Sequence, residues 1–146
     1  MKTEKHKGFD VIGLSARARN DEPPSIAALW SKFYQSNLRE TLPGVVDRNV
    51  YCVYHDYEGD HSAPYHMTIG YRVSCGGVCP AGFSRVSIPP QTIAVFEAVG
   101  EQPKALIAQW QAIWGSDLNR TYVADFDSYD PENRDLVTVS VGIKPS

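Results

Sequence analysis

Two stretches of the chain carry apolar residues at the spacing of an amphipathic helix. One follows Ser25, which suits an N-cap, and should end before Pro43 and Gly44; the other follows Pro103, which suits a first helical turn. The apolar faces consist of Ile26, Leu29, Trp30 and Phe33 in the first helix, and Leu106, Trp110, Ile113 and Trp114 in the second. We expect Trp30 and Trp114 to be core residues, whereas Trp110 suits the core and a pocket wall equally.

β-Branched and aromatic residues dominate the segments outside these helices. A strand is expected at 9–17, and another at 85–100, with Pro89 and Pro90 interrupting its start. Two hairpins are expected, one from 50–57 with 65–73 and one from 121–126 with 136–143. The loops that close the hairpins are rich in turn-forming residues.

The order strand, helix, strand, strand therefore occurs twice, over residues 8–75 and 83–144 of a single domain, 1–146. Aligning "VYHDYEGD" with "YVADFDSY" places Glu58 opposite Asp127. Such a tandem duplication predicts an α+β fold, in which two helices pack on a curved antiparallel sheet. A central cleft between the two halves would be a natural ligand site.

Composition limits the possible functions. With 146 residues, of which 42% are hydrophobic and 21% charged, the chain suits one globular domain. The net charge of −3 offers no basic surface for nucleic acid. The charged N-terminus and the lack of an apolar run of about 18 residues argue against a signal peptide or a membrane span, so we expect a cytoplasmic protein.

Cysteine and histidine give no sign of a metal or cofactor site. Cys52, Cys75 and Cys79 match no common zinc spacing and are expected to be free thiols, and the role of Cys75 and Cys79 stays open. His55, His61 and His66 surround the first hairpin without placing three ligands on one face, so loop histidines are the simpler interpretation. We expect neither a metal nor a cofactor.

Several motifs, in order, resemble the GyrI-like small-molecule-binding domain, which is also the effector-binding half of AraC-type and other multidrug-responsive bacterial regulators. They are "VIGLSARARN", "LWSKF", "YCVYHDYEGD" with "YHMTIGYRV", "SIPPQTIAVFEAVG", "QWQAIW", and "DFDSYD" with "VSVGIK". The resemblance implies a duplicated α+β fold with a pocket walled by aromatics, which has an acid at its base and often takes lipophilic cations. The family commonly has glutamate where this chain has Asp127, and often tyrosine near Ile93.

Alternation along 124–129 divides the residues into two sets. Asp125, Asp127 and Tyr129 share one face, and Ala124, Phe126 and Ser128 share the other. We expect the apolar set to pack beneath the helices and the acidic set to face the cleft or water. Asp125 and Asp130 are expected to be exposed at the strand end.

The predicted ligand-binding residues combine acids and aromatics. They are Asp127, Glu58, Tyr51, Tyr54, Tyr71, Phe96, Trp110 and Tyr129; alternation alone does not say which of Tyr51 and Tyr54 faces inward. A carboxylate among rings selects for positive charge, and each ring face adds about 0.5–2 kcal/mol of cation–π attraction. We therefore expect a sensor or sequestering protein for a hydrophobic, cationic small molecule.

Two other functions stay open. One is a small-molecule hydrolase, in which Asp127 works with Tyr129 or Tyr54 in the same pocket. The other is a protein-binding module that resembles gyrase inhibitors and uses a surface to hold a protein partner. The sequence contains no helix-turn-helix pattern, so direct binding to nucleic acid is not expected.

Overall fold

The computed structural model describes residues 2–20, 23–60, 62–74 and 78–145. The described residues form eight strands and three helices. The strands are β1 (Lys2–His6), β2 (Phe9–Ala18), β3 (Val50–His55), β4 (Tyr65–Val73), β5 (Ser84–Ile88), β6 (Gln91–Val99), β7 (Ala124–Tyr129) and β8 (Leu136–Ile143). The helices are α1 (Pro23–Ser36), α2 (Leu38–Thr41) and α3 (Lys104–Trp114).

All eight strands belong to one antiparallel sheet, in the order β1-β6-β8-β7-β3-β4-β2-β5. The α+β class and the curved antiparallel sheet are therefore confirmed. The six inner strands form two trios, β6-β8-β7 and β3-β4-β2, and each contains one of the predicted hairpins. The trios meet where β3 pairs with β7, so the two hairpins lie side by side at the junction. A common origin of these trios, as repeats 8–75 and 83–144, stays a prediction.

The strand predicted at 85–100 is two strands with different partners. β5 pairs with β2 at one edge of the sheet, whereas β6 lies near the other edge between β1 and β8. Pro89 and Pro90 separate β5 from β6, because proline has no N–H to continue a ladder. The sequence patterns predicted neither the edge strand β1 nor α2, which follows Asn37 at a left-handed φ of 52°.

Apolar clusters cover both faces of the sheet. On the helix face, α1 packs on β2 and β4, and α3 packs on β6. The opposite face carries one buried cluster, which includes Ile88 of β5 and Ile93 of β6. Because these strands lie near opposite ends of the strand order, the sheet curves toward this cluster, whose side we call the inner face. Its buried members are Phe9, Val11, Tyr51, Val53, Ile88, Ile93, Ala124 and Phe126.

The expected assignment of the two faces of β7 is wrong. Ala124 and Phe126 point into the inner face, whereas Asp127 contacts the side chain of Trp110 on α3 and so lies on the helix face. Alternation separated the two sets correctly. It carries no information on the direction in which the sheet curves, and the curvature places the apolar set inside.

A cross-strand pair of glycines brings β2 and β4 close together. Gly13 lies opposite Gly70, and a Cβ on either residue would clash with the backbone of the other strand. Of the three cysteines, Cys52 and Cys79 are free thiols as predicted, whereas Cys75 and also His61 lie outside the described residues. Within the described ranges, no helix has the length and apolar character that crossing a membrane requires.

Candidate functional site

Asp127 lies in the middle of the junction, on the helix face of β7, and is fully buried. Its Oδ2 accepts hydrogen bonds from the hydroxyls of Tyr54, at 2.5 Å, and Tyr129, at 3.5 Å. Its Oδ1 accepts one from Nε1 of Trp110, at 3.1 Å. The donors come from β3, β7 and α3, so the fold assembles them. We call these four residues the Asp127 cluster.

Within the described part of the chain, no positively charged side chain pairs with this carboxylate. None of the ion pairs among the described residues includes Asp127. Burial raises the pKa of Asp127 to about 7, although the hydrogen bonds from Tyr54 and Trp110 oppose that rise. Small changes in its surroundings therefore decide its charge near neutral pH.

Aromatic rings fill the space around Asp127 from α1 to α3. The ring of Tyr54 lies 5.3 Å from that of Trp110, and the ring of Tyr129 lies 5.0 Å from that of Trp30 on α1. Tyr54 also contacts the ring of Tyr65, at 5.7 Å. A carboxylate walled by rings on several sides has the chemistry of a site for apolar cations.

A second acid, Asp125, is also buried, which contradicts its expected exposure. Its Oδ2 pairs with Nη2 of Arg120, at 2.8 Å, and accepts the hydroxyl of Tyr57, at 2.5 Å. Its Oδ1 accepts the backbone N–H of Gly142, at 2.7 Å. The sequence did not reveal this counter-ion because Arg120 lies outside the predicted strand pattern. Asp130, in contrast, is exposed as expected.

Arg120 is the main residue of this region that sequence reasoning missed. Its guanidinium carbon lies 4.3 Å from the ring centre of Tyr122, 5.7 Å from that of Trp110 and 6.0 Å from that of Tyr57. Burial alone would lower the pKa of Arg120, but the carboxylate of Asp125 outweighs this effect and raises it. No sequence signal pointed to Arg120, since one arginine beyond a helix end is most often a surface residue.

Three predicted aromatics reach Asp127, and others do not. The structure brings Tyr54, Trp110 and Tyr129 onto the carboxylate, and Phe96 packs in the core cluster around Trp110. Tyr51 lies on the inner face, where its hydroxyl donates to Asp47 at 2.7 Å. Of the two tyrosines, Tyr54 is therefore the one that faces Asp127, and which of them contacts a ligand stays a prediction.

Glu58 and Tyr71 lie apart from the Asp127 cluster. Glu58 is exposed beyond the end of β3 and pairs with Arg17, at 2.6 Å. It is therefore no structural counterpart of Asp127, which lies within β7; the short sequence alignment was shifted. Tyr71 contacts the ring of Phe33 and lines a cavity of about 500 Å³ at the end of α1.

A second cavity of about 610 Å³ lies near His55, His66 and Arg85. Asp127 lines neither cavity. The rings of the Asp127 cluster instead occupy the junction themselves.

The family to which the chain belongs follows from a match over nearly its whole length. The profile of the family described as integron-associated effector-binding protein, Cass2, matches residues 3–143. The chain belongs to this family. The predicted resemblance to GyrI-like effector-binding domains is therefore confirmed. No curated protein sequence matches the chain.

Solved structures share the fold at low sequence identity. An integron cassette protein from Vibrio cholerae, VCH_CASS2, is 22% identical with a TM-score of 0.80, covering 98% of this chain and 95% of that one. SAV2435, solved with tetraphenylphosphonium bound, is 15% identical with a TM-score of 0.76 over 98% and 93%. EcmrR, solved in complex with DNA, is 14% identical with a TM-score of 0.60, and the chain spans 57% of it.

Proposed function

We propose that the protein binds a hydrophobic, cationic small molecule at the Asp127 cluster. The observation that carries the proposal is a fully buried carboxylate whose hydrogen-bond donors are all aromatic side chains and which has no ionic partner among the described residues. Membership of an effector-binding family supports small-molecule binding in general. The charge of the ligand is inferred from Asp127.

A cation and Asp127 would stabilise each other. Burial disfavours the ionised carboxylate, so a positive charge that enters the cluster gains a partner that water does not screen. The rings around Asp127 add cation–π attraction, and flat rings accept many ligand shapes. Charge selectivity with loose shape selectivity follows from this combination.

Ligand entry requires the rings to move, because they cover the carboxylate in this structure. Tyr129 is the best candidate to move first, since its hydrogen bond to Asp127 is the longest of the three, at 3.5 Å. Trp30, against which Tyr129 packs, would move with it. The bound ligand would then lie between α1 and α3.

Ligand binding is the whole of the proposed activity. We propose that the protein sequesters its ligand or passes the ligand state to a protein partner. SAV2435 shares the fold and holds tetraphenylphosphonium, a hydrophobic cation. We use that compound as the probe, without assuming that it is the natural ligand.

The test is a titration of tryptophan fluorescence at pH 8, where Asp127 is mostly ionised. Trp110 lies at the site, so we expect saturable quenching by tetraphenylphosphonium and much weaker quenching by a neutral triarylmethane of similar size. Asp127→Asn should weaken cation binding at least about tenfold, because the Coulomb attraction is lost. Asp130→Asn is the matched control, since Asp130 is exposed. Equal binding of cation and neutral compound would refute the proposal.

A further inference from the structure

The segment that precedes β7 contains polar atoms with no partner. Among the described residues, the buried side-chain nitrogen and oxygen atoms without a hydrogen bond are Nε and Nη1 of Arg120 and Oγ1 of Thr121. Buried donors are nearly always paired in folded proteins, so an unpaired group needs a specific explanation. Here all three belong to two consecutive residues.

The unpaired nitrogens of Arg120 lie beside the Asp127 cluster. The side chain of Arg120 is only 4% exposed, and its Nη2 is already committed to Asp125. Its guanidinium carbon lies 5.7 Å from the ring centre of Trp110, whose Nε1 donates to Asp127. Arg120, with its unpaired nitrogens, and Asp127, which has no ionic partner among the described residues, therefore both lie next to the indole of Trp110.

The local backbone also departs from ordinary geometry. Tyr122 has a φ of 55°, in the left-handed region that residues with a side chain rarely adopt. This conformation accompanies the placement of the Tyr122 ring 4.3 Å from the guanidinium of Arg120. Strained backbone of this kind concentrates at ligand-binding sites.

We propose that Arg120 is a second recognition point of the site and donates a hydrogen bond to an acceptor group on the ligand. The proposal rests on the function proposed above and narrows the ligand class. The effector would be a hydrophobic cation that also carries a neutral acceptor, such as a carbonyl or ether oxygen. Asp127 would meet the positive charge, and Nε–H or Nη1–H of Arg120 would meet the acceptor.

The charges around Arg120 favour a neutral acceptor over an anionic one. Asp125 already balances the charge of Arg120 through its ion pair. An anionic ligand group would then lie near two carboxylates, Asp125 and Asp127, and would be repelled by both. A dipolar oxygen satisfies the donors without adding charge.

A simpler role for Arg120 is to act only as the counter-ion of Asp125. The two roles predict different ligand preferences. A counter-ion affects all ligands alike, whereas a donor to the ligand favours those that have an acceptor.

The experiment compares two probes, tetraphenylphosphonium and its derivative with an acetyl group on one ring. We expect the wild type to bind the acetyl derivative about two- to tenfold more tightly, as one added hydrogen bond implies. In the double variant Arg120→Met with Asp125→Asn, which removes the buried ion pair as a unit, the ratio of the two affinities should fall to about one. Arg120→Lys, which keeps a charge opposite Asp125, should lower the ratio as a second variant. Arg17→Met, at an exposed arginine, should leave it unchanged.

The outcomes separate this proposal from the function on which it rests. Equal affinities of the wild type for both probes, or a preference that survives in both Arg120 variants, would overturn the role of Arg120 alone. Failure of the folded wild type to bind either probe would overturn both proposals. Circular dichroism of each variant shows that the folded protein is being compared.

Discussion

Asp127 should make the stability of the protein depend on pH. The folded protein holds the proton of this carboxyl up to about pH 7, whereas an unfolded chain releases it near the ordinary value of 3.8. Between these values the folded state binds one more proton than the unfolded state, so the free energy of unfolding falls as pH rises. The contribution is fully present below about pH 3.8 and is lost by the time pH has passed through 7.

The size of the effect follows from the shift in pKa. One unit corresponds to about 1.4 kcal/mol, so the shift of about three units amounts to roughly 4 kcal/mol in total. Between pH 5 and pH 7, Asp127 should account for a loss of roughly 2 to 3 kcal/mol. Asn at position 127 stays neutral and can still accept from Trp110, so Asp127→Asn should remove this slope.

Urea unfolding at several pH values, with wild type and Asp127→Asn in parallel, measures the effect. The difference between the two free energies of unfolding should change steadily from pH 5 to pH 7 and become constant above about pH 8. Asp130→Asn, at an exposed acid, should show no such change relative to wild type. If the wild-type and Asp127→Asn profiles run parallel across this range, the pKa of Asp127 is not raised by burial and the reasoning is refuted.

Three further predictions concern separate features. Arg120→Met should lower the free energy of unfolding by about 3 to 5 kcal/mol, because it leaves Asp125 buried without its ionic partner. Adding Asp125→Asn should restore most of this loss. A double variant that is no more stable in urea than Arg120→Met alone would contradict the prediction. Glu58→Ala should change the free energy of unfolding by less than about 1 kcal/mol, because its ion pair with Arg17 is exposed. It should also leave the affinity for tetraphenylphosphonium unaltered. Weaker binding in the fluorescence titration would show that Glu58 takes part in the site. Gly70→Ala should cost roughly 3 kcal/mol or more, because its Cβ would collide with the backbone of β2; a thermal midpoint equal to wild type would show that β2 and β4 separate easily.

Local patterns predicted much of the fold but not the paths of all its strands. Both long helices and both hairpins follow from hydrophobic periods of 3.6 and 2 residues, and each of these periods is visible within one segment of the sequence. The division of 85–100 into β5 and β6 depends on which strands lie at the two edges, and the sequence only hinted at it through Pro89 and Pro90. Edge strand β1, with polar residues on both faces, has no periodic signal.

The site was predictable only in part. Asp127, Tyr54, Trp110 and Tyr129 were all among the predicted ligand-binding residues, but alternation led to the expectation that Asp127 faces away from the helices, and Asp127 contacts Trp110 of α3 instead. The burial of Asp125 was not predictable, because it depends on the ion pair with Arg120, which lies between α3 and β7 in a segment without a hydrophobic period. The alignment that placed Glu58 opposite Asp127 did not bring the two residues together in the fold, because short matches between strands do not fix their register, and a role of Glu58 in ligand binding stays a prediction.

Proton release on ligand binding tests the central claim most directly. Isothermal titration of tetraphenylphosphonium at pH 7, in two buffers of different ionisation enthalpy, counts the protons released per ligand bound. Because the pKa of Asp127 is about 7, wild type should release about half a proton, and Asp127→Asn should release none. Saturable binding with no proton release by wild type, or with equal release by both proteins, would contradict the account.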